Sequence, residues 1–134
     1  MTTYFGTSIN ESPTIVLPAG EKLENARGIA LAISNGKAVK PVAGTHVIGL
    51  SLIETDEMVE AGTDVDIQIK DIGKWVAGEE ITVGTELATD ADGKAVAAKA
   101  GDFIVGVALS NASEEGTWIK VQIIKAGYKP AAKA

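Results

Sequence analysis

The 134-residue chain contains no cysteine, one histidine and a single arginine, Arg27. Without cysteine there is no disulfide framework and no thiolate nucleophile or ligand, a composition that suits a reducing compartment. The lone His46 has no cysteine to pair with and the serines fall in turns, so neither a Cys-His nor a Ser-His-Asp arrangement can be assembled. Aromatic residues are scarce, with two Trp, two Tyr and two Phe, which leaves few rings for stacking a ligand. The formal charge of -6 and a pI near 4.7 argue against a nucleic-acid partner and against an anionic membrane surface, both of which need clustered Lys and Arg. No apolar run is long enough to span a bilayer, and residues 1–12 lack the basic start and apolar stretch of a signal peptide. None of the 15 glycines builds a GxGxxG or GxxxxGK[ST] phosphate loop.

What the chain does have is a 46% hydrophobic content, mostly Ala, Val, Ile and Leu, enough for one domain of this length to bury a core. It also contains itself twice. Residues 28–69 align with residues 84–123 when one residue is inserted before Gly93 and three are removed after Glu114. The copies then share GKAV at Gly36 and Gly93, Ala43-Gly44 with Ala100-Gly101, and Gly49 with Gly106. They also share Leu52 with Leu109, Gly62-Thr63 with Gly116-Thr117, and Gln68-Ile69 with Gln122-Ile123. Chance rarely places so many identities in one order.

Each copy is punctuated as strands. Asn35-Gly36 is a strong hairpin signal because both central residues of that turn need positive φ, whereas Asp92-Gly93, with one more residue, predicts a three-residue loop. Near-continuous apolar runs at residues 46–52 and 103–109 predict buried strands. Alternation then places Val65, Ile67 and Ile69 inward with Asp64, Asp66 and Gln68 outward, and in the second copy Ile119, Val121 and Ile123 inward. The pattern predicts an all-β fold, a small barrel or sandwich (β-tulip-like) built from two tandem copies of one β motif. Minor short helix is expected at residues 21–26 and 56–61. Residues 1–13 read as an N-terminal arm, 14–125 as a single duplicated domain with copies at about 14–70 and 73–125, and 126–134 as a tail.

Residues that carry chemistry elsewhere read here as structure. His46 stands where the other copy has Phe103, which fits packing or a rim position. The acidic run Glu54, Asp56, Glu57, Glu60, Asp64 and Asp66 fits a solvated loop better than a cation site, because the matching loop keeps only Glu114 and Glu115. Asp90-Ala-Asp92-Gly93 has its Gly too early for a calcium loop and fits a turn. Gly49 and Gly106, inside strands, mark a bulge or a close backbone approach. Trp118 falls on an outward face, either as an interface anchor or as cover for a neighbouring segment. In the arm, Tyr4, Phe5 and Ile9 are spaced to press an extended chain into a neighbour, although a solvated leader fits as well. No catalytic, cofactor or metal residues are assigned. The candidate interface is Tyr4, Phe5, Ile9 and Trp118.

The run WVAGEEITVGTELATDADGKAVAAKAGDFIVGVALSNASEEGTWIKVQI, residues 75–123, resembles the decoration, or cement, proteins of tailed-bacteriophage capsids. The pattern AG..V..G..L..D.DGK......G..IVGVAL......G..V.V falls on Ala77, Gly78, Val83, Gly84, Leu87, Asp92, Gly93, Lys94, Gly101, Ile104, Val105, Gly106, Val107, Ala108, Leu109, Gly116, Ile119 and Val121. The first copy matches more loosely, departing at Lys40-Pro41 and in its longer acidic loop. The resemblance implies a homotrimer on the outer surface of the virion, bound to the major capsid protein at local threefold positions. It also implies no catalysis, no cofactor and no small-molecule substrate. Two other readings stand beside it. AGEEITVGTEL is similar to biotinyl or lipoyl carrier domains, which present one Lys at a hairpin tip flanked by Met or Asp, whereas Lys94 follows Asp92-Gly93 instead. Another virion component such as a head fibre or tail protein is the further alternative. An enzyme with a nonstandard carboxylate site has no paired positions to support it.

Overall fold

The computed structural model describes residues 12–131. Among them are twelve strands and no helix: β1 Thr14–Pro18, β2 Leu23–Glu24, β3 Ala30–Ser34, β4 Lys37–Val39, β5 Gly49–Ser51, β6 Met58–Val59, β7 Asp64–Gln68, β8 Asp71–Val76, β9 Glu86–Thr89, β10 Ala95–Ala97, β11 Phe103–Ala108 and β12 Trp118–Tyr128. One five-stranded sheet runs β1-β7-β5-β3-β4, and a second, read from its β8 edge, runs β8-β12-β11-β9-β10. Position by position these are the same order, so the repeat in the sequence is a repeat of topology. Both sheets are open, so neither closes into a barrel.

The correspondence extends to single hydrogen bonds. Gly62 N donates to the Ala19 carbonyl at 2.8 Å, and Gly116 N donates to the Ala77 carbonyl at the same distance. The parallel bridge Ala19–Ala38 recurs as Ala77–Ala95. Gly49 and Gly106 are held by the same crowding: a Cβ would stand 2.2 Å from the Gln68 carbonyl oxygen in one copy and 2.3 Å from that of Gln122 in the other. The expected close approach is therefore the reason for glycine at both sites, and β11 also shifts register between Ile104 and Gly106. The turns follow their sequences. Asn35 and Gly36 have φ of 51° and 74° between the paired Ser34 and Lys37. In the second copy Asp90 N donates to the Lys94 carbonyl at 2.9 Å, closing the longer loop.

The two helices expected at residues 21–26 and 56–61 do not form. Those segments supply β2 and β6, which pair as Leu23 with Val59 and Glu24 with Met58. The alternation decides it: Leu23 and Val59 are buried while Glu24 and Met58 are exposed, and Asn25 takes φ 52°, which a right-handed helix does not admit. The apolar run at 46–52 pairs as a named strand only over Gly49–Ser51. β12 continues through Tyr128, opposite Phe103, so residues 126–128 belong to the sheet and not to the tail.

Two cores result. Leu23, Leu31, Val65 and Ile67 close the first copy's own core. The second copy's core, around Trp75, Leu87, Val105 and Val121, also takes in Ala30, Val47 and Leu50 from the first. This contact is not reciprocal. Gly93 lies against Ile29 and Ala30, but at its counterpart Gly36 a Cβ would meet nothing within 4 Å; Gly28 lies under Trp118, but its counterpart Gly84 is open. The copies therefore pack head to tail and not about a twofold axis. Nor can the contact propagate to a further molecule in the same form. Val76 N donates to the Gly28 carbonyl at 3.0 Å, and its counterpart Pro18 has no N–H to give. The buried Ala30 is replaced by the charged Glu86.

Candidate interaction surface

β8 and β12 pair antiparallel at one edge of the second sheet, with Trp118 opposite Val76, Lys120 opposite Lys74 and Gln122 opposite Ile72. Directly opposed residues share a face, and here it is the face away from the core, since the alternate residues Trp75, Ile119, Val121 and Ile123 are buried. Ile72 is 60% exposed, Trp118 39% and Ile124 43%. The face is thus an apolar strip crossed in its middle by two lysines. Like charges directly opposite each other destabilise a sheet, and neither lysine has a carboxylate partner: the ion pairs among the described residues are Lys94–Glu115 and Lys129–Glu86.

Trp118 covers a neighbouring segment, one of its two expected roles. Its ring lies over Gly28, where a Cβ would come within 2.0 Å of the indole, and the remainder of the ring is open to solvent. Tyr4, Phe5 and Ile9 lie outside the described residues.

On the first copy, the loop and strands from Leu52 to Asp66 surround a hollow of about 390 Å³. Glu54, Asp56, Glu60, Asp64 and Asp66 line it together with Leu52, Met58 and Val59. Among the described residues no group of three His, Asp or Glu is placed to hold a metal ion. Acidic and apolar side chains thus line the hollow together, and its carboxylates make no ion pair among the described residues.

The other singled-out residues are structural where they stand. His46 is exposed and sets its ring against Phe103 at 4.8 Å, edge to face. Asp90 accepts from the backbone N–H groups of Asp92 and Lys94 at 2.9 and 2.8 Å, so its carboxylate shapes the turn. Lys94 is tied to Glu115 at 2.9 Å, and that bond raises its pKa. Lys125 donates to the Ile48 carbonyl at 3.1 Å across the two copies, and burial lowers its pKa. The strip's lysine pair escaped the sequence reading because the register of β8 against β12 is set by tertiary pairing. The available signal was Lys120, two residues after the outward Trp118 on an alternating strand.

The pattern of the phage cement protein family matches residues 11–123. The chain belongs to that family and is a structural component of a phage virion. Among solved structures, the N base of head fiber gp8.5 of bacteriophage phi29 has a similar fold. It is 21% identical, with a TM-score of 0.65 over 87% of this chain and 97% of the other. No curated protein matches.

Proposed function

We propose that the protein is a non-enzymatic cement: it seats on the outer surface of a phage capsid at junctions of the major capsid protein, as a homo-oligomer with three subunits, and strengthens the shell. The observation that carries this reading is the exposed apolar strip of β8 and β12 on a chain of the cement family. A protein of this size leaves such a surface open where another protein is to cover it. Residues 1–13, with Tyr4 and Phe5, supply the attachment to the shell, and the strip, with Trp118, is covered inside the homo-oligomer. Several weak contacts made at once give a cement its hold without tight binding at any one of them. The head-fibre reading is supported only by the shared fold.

The test is to add purified protein to capsids that lack it and sediment the shells. Saturable co-sedimentation in a fixed ratio to the major capsid protein supports the proposal. Protein left in the supernatant at concentrations well above that of the sites counts against it.

A further inference from the structure

The homo-oligomer leaves open which surfaces meet, and the structure holds two that complement each other. The β8–β12 strip is apolar and basic, on a chain whose net charge is -6. Its two lysines oppose each other and neither forms an ion pair among the described residues, although Glu54 lines a hollow beside Ile72 and Lys74. The like-charged arrangement costs stability in the isolated subunit and is relieved by a further acidic partner. The hollow around Met58 is apolar and acidic; Arg27 donates to the carbonyl of Thr55 in its lining at 2.7 Å, but its carboxylates form no ion pair among the described residues. Both carry exposed hydrophobic groups beside the charge, Ile72 at 60% and Trp118 at 39% on one, Met58 at 50% on the other. The head-to-tail contact inside the chain cannot recur between molecules, because Pro18 and Glu86 replace the residues that make it. Association of copies has to use other surfaces.

From this complementarity we infer that the Ile72, Lys74, Trp118 and Lys120 face of one molecule docks into the Glu54, Asp56, Glu60 and Asp64 hollow of a second copy. Each molecule then offers one face and one hollow. The contact is heterologous, and it closes into a ring when the rotation between neighbours allows. Docking places Lys74 and Lys120 among carboxylates and covers Trp118 and Met58 together. The inference rests on the homo-oligomer of the proposed function and assigns its surfaces.

Sedimentation velocity on the full chain tests it, with three samples: wild type, Lys74→Glu with Lys120→Glu, and Glu60→Lys with Asp64→Lys. Wild type is expected to associate, more weakly as salt screens the charges. Each double variant should associate about tenfold or more less tightly, with native circular dichroism confirming the fold. Mixing the two variants should restore association as far as mixed pairs, because each supplies the charge the other lost, although a ring of three cannot close on two alternating variants. A monomeric wild type, or double variants with the wild-type mass, overturns the inference. Failure of the mixture to recover while both variants are folded overturns it as well. Capsid occupancy is read separately. A Lys74→Glu, Lys120→Glu protein that keeps its oligomer but leaves the capsid assigns the strip to the shell instead, which overturns the docking and spares the cement reading. Wild-type oligomers that ignore the capsid do the reverse.

Discussion

The indole N–H of Trp75 donates to the carbonyl of Gly93 at 2.7 Å. The same oxygen accepts the backbone N–H of Ala30 at 2.7 Å. One carbonyl at the tip of the second copy's hairpin thus binds that copy's largest core residue and the first copy's β3. Trp75 is fully buried, and its only polar atom is satisfied at the junction. Trp75→Phe keeps a ring but loses the donor and leaves a small void, for an expected loss of about 2 kcal/mol. Urea unfolding should show a lower midpoint with an unchanged slope.

Gly106→Ala and Gly49→Ala each drive a methyl into a carbonyl oxygen of the neighbouring strand. Backbone cannot retreat as a side-chain tip can, so each substitution should cost about 3 kcal/mol. The melting temperature should fall by about 10 °C. Gly20→Ala meets the Val39 side chain at 2.9 Å, which can shift, and its drop should be smaller.

The glycines show what a sequence discloses. Two copies that keep Gly at the same strand position reveal a backbone constraint before any fold is known, and Asn35-Gly36 discloses its hairpin because few residues accept positive φ. Alternation at Val65, Ile67, Ile119 and Val121 gave the inward face for the same local reason. Residues 21–26 and 56–61 misled because their helix-forming composition is overridden by pairing between segments about 35 residues apart, Leu23 with Val59. The like-charged pair Lys74 and Lys120 was invisible for the same reason, since it exists only through the register of β8 on β12.

Lys94 and Glu115 form a surface pair across the second copy. The folded-state pKa of Lys94 lies above its ordinary 10.5, chiefly through the Glu115 bond. The contribution of the pair is therefore fully present below that value and is lost as pH rises through the folded-state pKa. The difference in melting temperature between wild type and Lys94→Met should be constant from about pH 7 to 9 and shrink above about pH 10.5.

Removing residues 1–11 should lower capsid occupancy at limiting protein concentration while leaving the fold intact, since Pro13, whose carbonyl accepts the Ile69 N–H at 2.8 Å, is kept. Tyr4→Ala with Phe5→Ala should reproduce the loss, which places the anchor in those rings. Unchanged occupancy would return the segment to a solvated leader. Trp118→Ala should weaken self-association by about tenfold or more, and capsid occupancy with it, because the attachments are then no longer made together.

A cement is defined by what it does to the shell. The measurement that bears most directly is the disruption temperature of capsids lacking the protein, followed by calorimetry before and after saturation with the purified chain. The cement reading predicts a shift upward that saturates at the same ratio as binding and disappears with Trp118→Ala in the truncated protein. Shells that bind the chain to saturation and still disrupt at an unchanged temperature would contradict it.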